Sequence, residues 1–205
     1  MKAPLLILCI IVGLSSSCEN ETYGPYIAPP IFTASWPCEN GIADIYPCGG
    51  YDLMSYLSLQ DLTPEGVNNG SISGNDSWGW TDPNTNKEYA LVGLSSHAAF
   101  VDISDPSLPF LLGVLPTATV NSSWRDIKVY QNHAFIVSEA PGHGMQVFDL
   151  TRLRDVTAAP ELFTADTHFT DFGSAHNIVI NESSGYAYVV GTNRNGPFSG
   201  GALFI

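Results

Sequence analysis

Chemistry in this chain would have to come from a small set of histidines, carboxylates and cysteines. His176 is followed by Asn177, and at the matching place in an earlier repeat Arg125 is followed by Asp126. A ring of histidine, arginine and carboxylate can hold a metal or an anionic ligand, because imidazole is the commonest transition-metal ligand and needs an orienting acceptor. The same residues have a structural use. Asp126 and Asn177 can tie neighbouring units through backbone hydrogen bonds while Arg125 pairs with a carboxylate. Repeated structural roles predict repeated residues, whereas a site usually breaks a repeat, and this favours the structural use. His168 lies in ADTHFTDFGSAH with Asp166 and Asp171, eight residues before His176. His168 and His176 are therefore the candidate metal ligands, although their spacing is not that of a recognised motif such as H-E-x-x-H. The cofactor they would imply is a divalent ion.

Other polar clusters point to turns. His143 stands in Pro-Gly-His-Gly, where it could present an imidazole but reads first as a turn residue; His97 and His133 read as surface turn residues. Asp82 to Glu88 begins like a calcium loop, yet Lys87 stands where the glycine belongs and Gly93 where the bidentate Glu belongs, so it reads as a long hairpin turn. Trp78, Trp80 and Trp124 at strand starts could stack on sugars or pack between sheets. There is no G-x-S-x-G, Walker loop or dinucleotide fingerprint, which weighs against an enzyme.

Composition narrows the classes further. With 7 Lys+Arg against 20 Asp+Glu and a net charge of -13, the chain is a poor nucleic-acid binder, since such binding neutralises phosphates with basic residues. Met1 to Cys18 reads as a secretory signal: one Lys2, an apolar run from Leu5 to Leu14, then Ser15-Ser16-Ser17-Cys18. Small residues before a cysteine resemble a lipoprotein cleavage site, with Leu14 one place further from the cysteine than usual. Cys18 is then the lipidated first residue of the mature chain, anchoring it to an outer membrane or cell surface; otherwise the protein is extracellular. In that oxidising setting Cys38 and Cys48 read as a disulfide, with two metal-binding thiolates as the alternative.

The elements that position these residues are short strands. Arg125 to Tyr130 alternates polar and apolar residues, Ala134 to Ser138 and Met145 to Leu150 are apolar runs, and Gly, Pro and Asn clusters separate them. The pattern recurs. Second strands align as Tyr89 to Gly93, Ala134 to Ser138 and Ala187 to Gly191. Third strands align as Phe100 to Ile103, Val147 to Leu150 and Leu203 to Ile205. First strands align more loosely as Trp78 to Trp80, Arg125 to Ile127 and His176 to Ile178. Pro109 to Val114 supplies a fourth strand in the first unit, and Glu161 to Phe163 in the second. Asp102 and Asp149 should cap their third strands by accepting from an N–H two residues on.

Four strands in a repeat of about 45 residues is the pattern of a β-propeller blade. We therefore expect an all-β propeller with three four-stranded blades, at about 76–116, 124–165 and 175–205, the third incomplete and the ring not closed. First strands line the channel of a propeller, so Arg125, Asp126, His176 and Asn177 should lie near its mouth. Leu53 to Leu59 alternates cleanly and should be a strand that fastens the ring. Residues 19–50 form a Pro-rich tether and the Cys38–Cys48 loop, and 51–205 the partial propeller. Because three blades cannot close a ring, the chain reads as a fragment of a longer protein, with an open solenoid as the alternative.

The segments CENGIADIYPC, GYDLMSYLSLQDL, GNDSWGW, EYALVGLSSHAAFVDISDPSLPFLLGVLPT, WRDIKVYQNHAFIVSEAPGHGMQVFDLTRLR and AHNIVINESSGYAYVVG resemble the choice-of-anchor B family, exported bacterial proteins built from LVIVD-type propeller repeats. The resemblance spans about Cys38 to Ile205 and supplies no catalytic residue. The repeats, the acidic surface of an exported chain and the missing catalytic motif point instead to a non-catalytic surface module that holds a protein or glycan partner on its rim. The competing expectation is a metal-dependent hydrolase with His176, Asp126 and His168 at the channel mouth.

Overall fold

The computed structural model describes residues 35–67, 70–192 and the strand at 201–204. The signal segment with Cys18, the tether up to residue 34 and the insert at 193–200 lie outside the described residues. Two short strands, β1 (Ile42–Ala43) and β2 (Tyr46–Pro47), form a hairpin inside the loop closed by the Cys38–Cys48 disulfide, whose Cα atoms are 5.9 Å apart.

Three sheets follow, antiparallel except for one short parallel strand added to the first. Blade 1 is β3 (Gly74–Thr81), β4 (Glu88–Leu94), β5 (His97–Asp102) and β6 (Phe110–Pro116). Blade 2 begins with β7 (Arg125–Tyr130), β8 (His133–Ser138) and β9 (Met145–Asp149), and a 3-10 turn at Leu150–Asp155 leads out of it. The chain continues through β10 (Glu161–Leu162) and β11 (Thr167–Phe169) to blade 3, formed by β12 (Asn177–Asn181), β13 (Tyr186–Thr192) and β14 (Gly201–Phe204). The protein is all-β, and among the described residues no sheet closes on itself.

Local chemistry sets the turns. Gln131 and Asn132 both take positive φ, 46° and 63°, giving β7 and β8 a two-residue turn whose twist suits an antiparallel pair. Asp102 accepts from the Ser104 N–H and Asp149 from the Thr151 N–H, each at 2.9 Å, as the sequence predicts for these strand ends.

Apolar faces hold the blades together. Between blades 1 and 2, Phe100 stacks on Phe148 with ring centroids 4.6 Å apart, among Leu91, Ile127 and Ile136. Between blades 2 and 3, Val137 and Met145 meet Ile178 and Val189. Each fully buried side chain of this size stabilises the fold by about 1.5–3 kcal/mol relative to exposure. The remaining face of blade 1, with Val92, Leu94 and Ala99, is covered by the segment around Leu62.

Three expectations change. Leu53 to Leu59 is not a strand: Leu53 alone bridges Trp36, and Leu57 and Leu59 pack onto blade 1 instead. The alternation came from lying against a sheet face, not from pairing with a neighbour. Glu161 to Phe163 is not the outer strand of blade 2. β10 pairs in parallel with β6 of blade 1, and β11 completes blade 2 beside β9. Gly113 permits this, since a Cβ there would lie 2.4 Å from the Glu161 carbonyl oxygen. Phe163 then enters the core, 4.9 Å from Phe148.

The third change concerns register. Asp76 pairs with Gly93, Asp126 with Val137 and Asn177 with Val190. Ala90, not Tyr89, therefore matches Ala134 and Ala187, and Asp76 matches Asp126 and Asn177. A one-residue slip exchanges the two faces of a strand, so the sequence alignment of β4 had its faces inverted, whereas the alignment of the third strands, Val101 with Phe148, holds.

Candidate functional site

The inner strands carry the polar residues of interest. Asp126 Oδ2 accepts from the Ile178 N–H at 2.7 Å and from Asn177 Nδ2 at 3.3 Å. One blade earlier, Asp76 Oδ2 accepts from the Ile127 N–H, also at 2.7 Å. Each carboxylate thus reaches from its own first strand to the backbone of the next. The sequence expectation singled out Asp126 and Asn177 for this role and missed Asp76, because the slipped alignment put Trp78 to Trp80 at the matching place.

Lys128 connects the two carboxylates. Its ammonium bonds Asp126, lies 3.8 Å from Asp76 and donates to the Ile127 carbonyl at 2.9 Å. It also sits 4.6 Å over the Trp78 ring. Burial pushes the Asp76 carboxyl up, the neighbouring Asp126 adds to this, and the Ile127 N–H and Lys128 only partly offset it. Burial opposes ionisation of Asp126 as well, but the Lys128 and Ile178 hydrogen bonds outweigh it and hold that carboxyl below its usual range. Asp126 is the ionised partner of Lys128, and Asp76 is the first of the pair to take a proton.

Arg125 does not face a carboxylate. It is buried between blades 1 and 2, where Nε donates to the Leu94 carbonyl at 3.1 Å and Nη1 lies 3.0 Å from His143 Nε2. Among the described residues Nη2 has no hydrogen-bond partner. Arginine only donates, so His143 Nε2 must accept, which puts its proton on Nδ1, 3.0 Å from the Gly144 carbonyl. Burial lowers Arg125 to about 10, leaving it cationic at neutral pH. Burial, and then the charge of Arg125, lowers His143 to about 4. His143 is therefore a buried neutral acceptor, not an exposed turn residue. Gly144 makes this possible, because its φ is +62° and a Cβ would lie 2.2 Å from the Phe169 carbonyl oxygen.

The structure separates the other histidines. His168 Nε2 lies 2.6 Å from the His143 carbonyl. His176, although it follows Arg125 in the repeat, is half exposed, bonds Glu139 and lies 6.3 Å from the Trp124 ring between centroids. His168 and His176 thus have different partners. Among the described residues no group of three or more His, Cys, Asp and Glu could hold a metal ion. His97 is buried, not on the surface: its nitrogens meet the Ser96 hydroxyl and the Leu62 carbonyl at 2.9 Å each, clamping the covering segment to blade 1. His133 is half buried, with Nδ1 2.8 Å from the Gln131 carbonyl.

The calcium-like stretch forms the β3–β4 turn. Asp82 is buried and accepts from Asn84 N, Thr85 Oγ1 and both Nε and Nη2 of Arg154, the last two at 2.7 and 2.6 Å. Arg154 holds the Asp82 carboxyl well below the usual range. This fork joins blade 1 to the 3-10 turn that follows β9, a contact between residues 72 apart that no local pattern announces.

At the same end of the inner strands lies an open cavity of about 670 Å³, lined by Trp78, Trp80, Tyr130, Gln131, Asn132 and Glu182 among others. It combines aromatic faces with amide, hydroxyl and carboxylate groups.

Comparison with known proteins places one part of the chain. No curated protein matches, and no solved structure matches. A family model described as LVIVD repeat matches residues 88–117, the span from β4 through β6. The strand pairing of that span recurs in the following sheets, and the chain is accordingly a repeat-containing protein of β-propeller type.

Proposed function

We propose that the protein is an exported, surface-anchored β-propeller repeat protein of the choice-of-anchor B kind, serving as a non-catalytic binding or scaffold module. The observation that carries this reading is the recurring bond from a first-strand carboxylate to the next blade, Asp76 to Ile127 and Asp126 to Ile178. The residues aligned along the channel are engaged in joining blades, which is the work of a scaffold. Arg125 and His143 are likewise engaged with each other in a buried junction. Export is supported by the Cys38–Cys48 disulfide, which persists best in an oxidising compartment, and by the apolar leader that ends in Ser17-Cys18.

The test is to express the full-length protein in a Gram-negative host fed an alkyne-labelled fatty acid. The label should enter the wild type and not Cys18→Ala, and intact cells treated with protease should lose the propeller. A protein that takes no label, stays inside the cell and keeps Cys38 and Cys48 reduced would overturn the proposal.

A further inference from the structure

We propose that the cavity at the turn end of the inner strands binds a neutral glycan, received as a short run of pyranose rings against Trp78 and Tyr130; this rests on reading the chain as an extracellular binding module. Three hairpin turns meet there, bringing Pro83, the Gln131-Asn132 pair and Glu182 to one opening. Its volume, about 670 Å³, falls in the range of small-molecule sites.

The chemistry of the lining selects the ligand class. Trp78 is 40% exposed even though Lys128 lies over its ring. Exposed indole surface suits the C–H faces of a sugar, whose weakly positive hydrogens meet an electron-rich ring. Trp80 Nε1 donates to Asn132 Oδ1 at 3.2 Å, which fixes that amide and leaves its N–H donors unused by the bond. Gln131 Nε2 donates to the Tyr130 hydroxyl at 3.0 Å, leaving the Gln131 side-chain amide oxygen and the phenolic proton for a ligand. With the Glu182 carboxylate the opening offers donors and acceptors side by side, the arrangement that vicinal hydroxyls satisfy. An anion would meet Glu182, a metal ion would find one carboxylate, and a wholly apolar ligand would strand the amides.

The backbone supplies an independent observation. Gln131 takes φ +46°, a region where a side chain with a Cβ costs roughly 1–2 kcal/mol and where glycine or asparagine is usual. A long amide kept at that cost, at the lip of the cavity, is placed to touch what enters.

The experiment titrates the full-length protein with cellotriose, maltotriose and chitotriose. It follows tryptophan fluorescence and ligand-observed NMR, with mass spectrometry of the sugar afterwards. At least one trisaccharide should bind saturably, in the micromolar to millimolar range typical of shallow sites. Trp78→Ala should weaken it at least about tenfold. Gln131→Gly should raise the unfolding temperature, by relieving the turn, while weakening the sugar several-fold. Trp124→Ala, away from the cavity, should leave binding unchanged. The proposal is overturned if none of the three binds at about 10 mM, or if affinity survives both Trp78→Ala and Gln131→Gly. Cleavage of a bound trisaccharide would support the site and defeat the non-catalytic reading. Absence of binding leaves the labelling test of export untouched.

Discussion

Asp126 and His176 were both candidates for a ligand site, and their surroundings give them different mutational costs. Asp126→Ala removes the acceptor for the Ile178 N–H and the Lys128 ammonium in a buried place. It should cost about 2–4 kcal/mol, the range for orphaning a buried donor and a charge together. Asp126→Asn keeps an acceptor and should cost less. His176→Ala removes a half-exposed pair with Glu139 and should cost no more than about 1 kcal/mol. Urea denaturation of the three variants checks this, and equal losses at both positions would contradict the joint. His143 gives a pH dependence. Its pKa is lowered to about 4 in the fold, so between about 6.5 and 4 the unfolded chain binds the extra proton. Stability from this residue is complete above 6.5 and falls as pH drops through that window, by up to about 3 kcal/mol at the lower end. His143→Gln, which keeps an acceptor for Arg125 without a proton to gain, should flatten that part of the melting-temperature profile. The joining role of Asp126 was legible because it follows the start of a first strand and recurs in the repeat. His143 was not, because its burial depends on Arg125, 18 residues earlier, and on the close approach of Phe169 to Gly144.

At the scale of strands, legibility followed locality. The second and third strands of each repeat are apolar runs ended by a turn residue, and β4, β5, β8, β9 and β13 lie where those runs are. First strands were harder. In β3 the sequence GNDSWGWT alternates poorly, and the ladder with β4 has an irregularity between Gly74 and Asp76 that displaces the register. Outer strands were hardest, since β11 has only three residues, Thr167–Phe169, too few for a period to show. The apolar Leu162 and Phe163 drew the assignment to a segment that crosses to blade 1. That crossing depends on one missing methyl group. Gly113→Ala would place a Cβ against the Glu161 backbone and the Phe163 ring and should destabilise the protein by about 2–3 kcal/mol. Amide exchange should rise at residues 161–163 while the β7–β8 pair stays protected. Unchanged protection at 161–163 would show that the parallel pairing needs no glycine.

Across the whole molecule, neighbouring blades are joined at different radii. A carboxylate bonds a backbone N–H at the inner strands and aromatic and aliphatic faces pack in the middle; between blades 1 and 2, β10 also crosses onto the outer strand β6 and Arg154 grips Asp82 at the β3–β4 turn. In repeat arrays stability approximates a sum of unit and interface contributions, so each joint should respond to mutation largely by itself. The inner joint also has a direction. In both cases the acceptor is the earlier blade and the donor the later one, Asp76 before Ile127 and Asp126 before Ile178. The arc therefore has a head and a tail, like a row of hooks all facing one way. A blade inserted in reverse orientation would bring backbone N–H against N–H and carboxylate against carboxylate, so the order in which repeats stack is dictated at the axis by a single oxygen per unit.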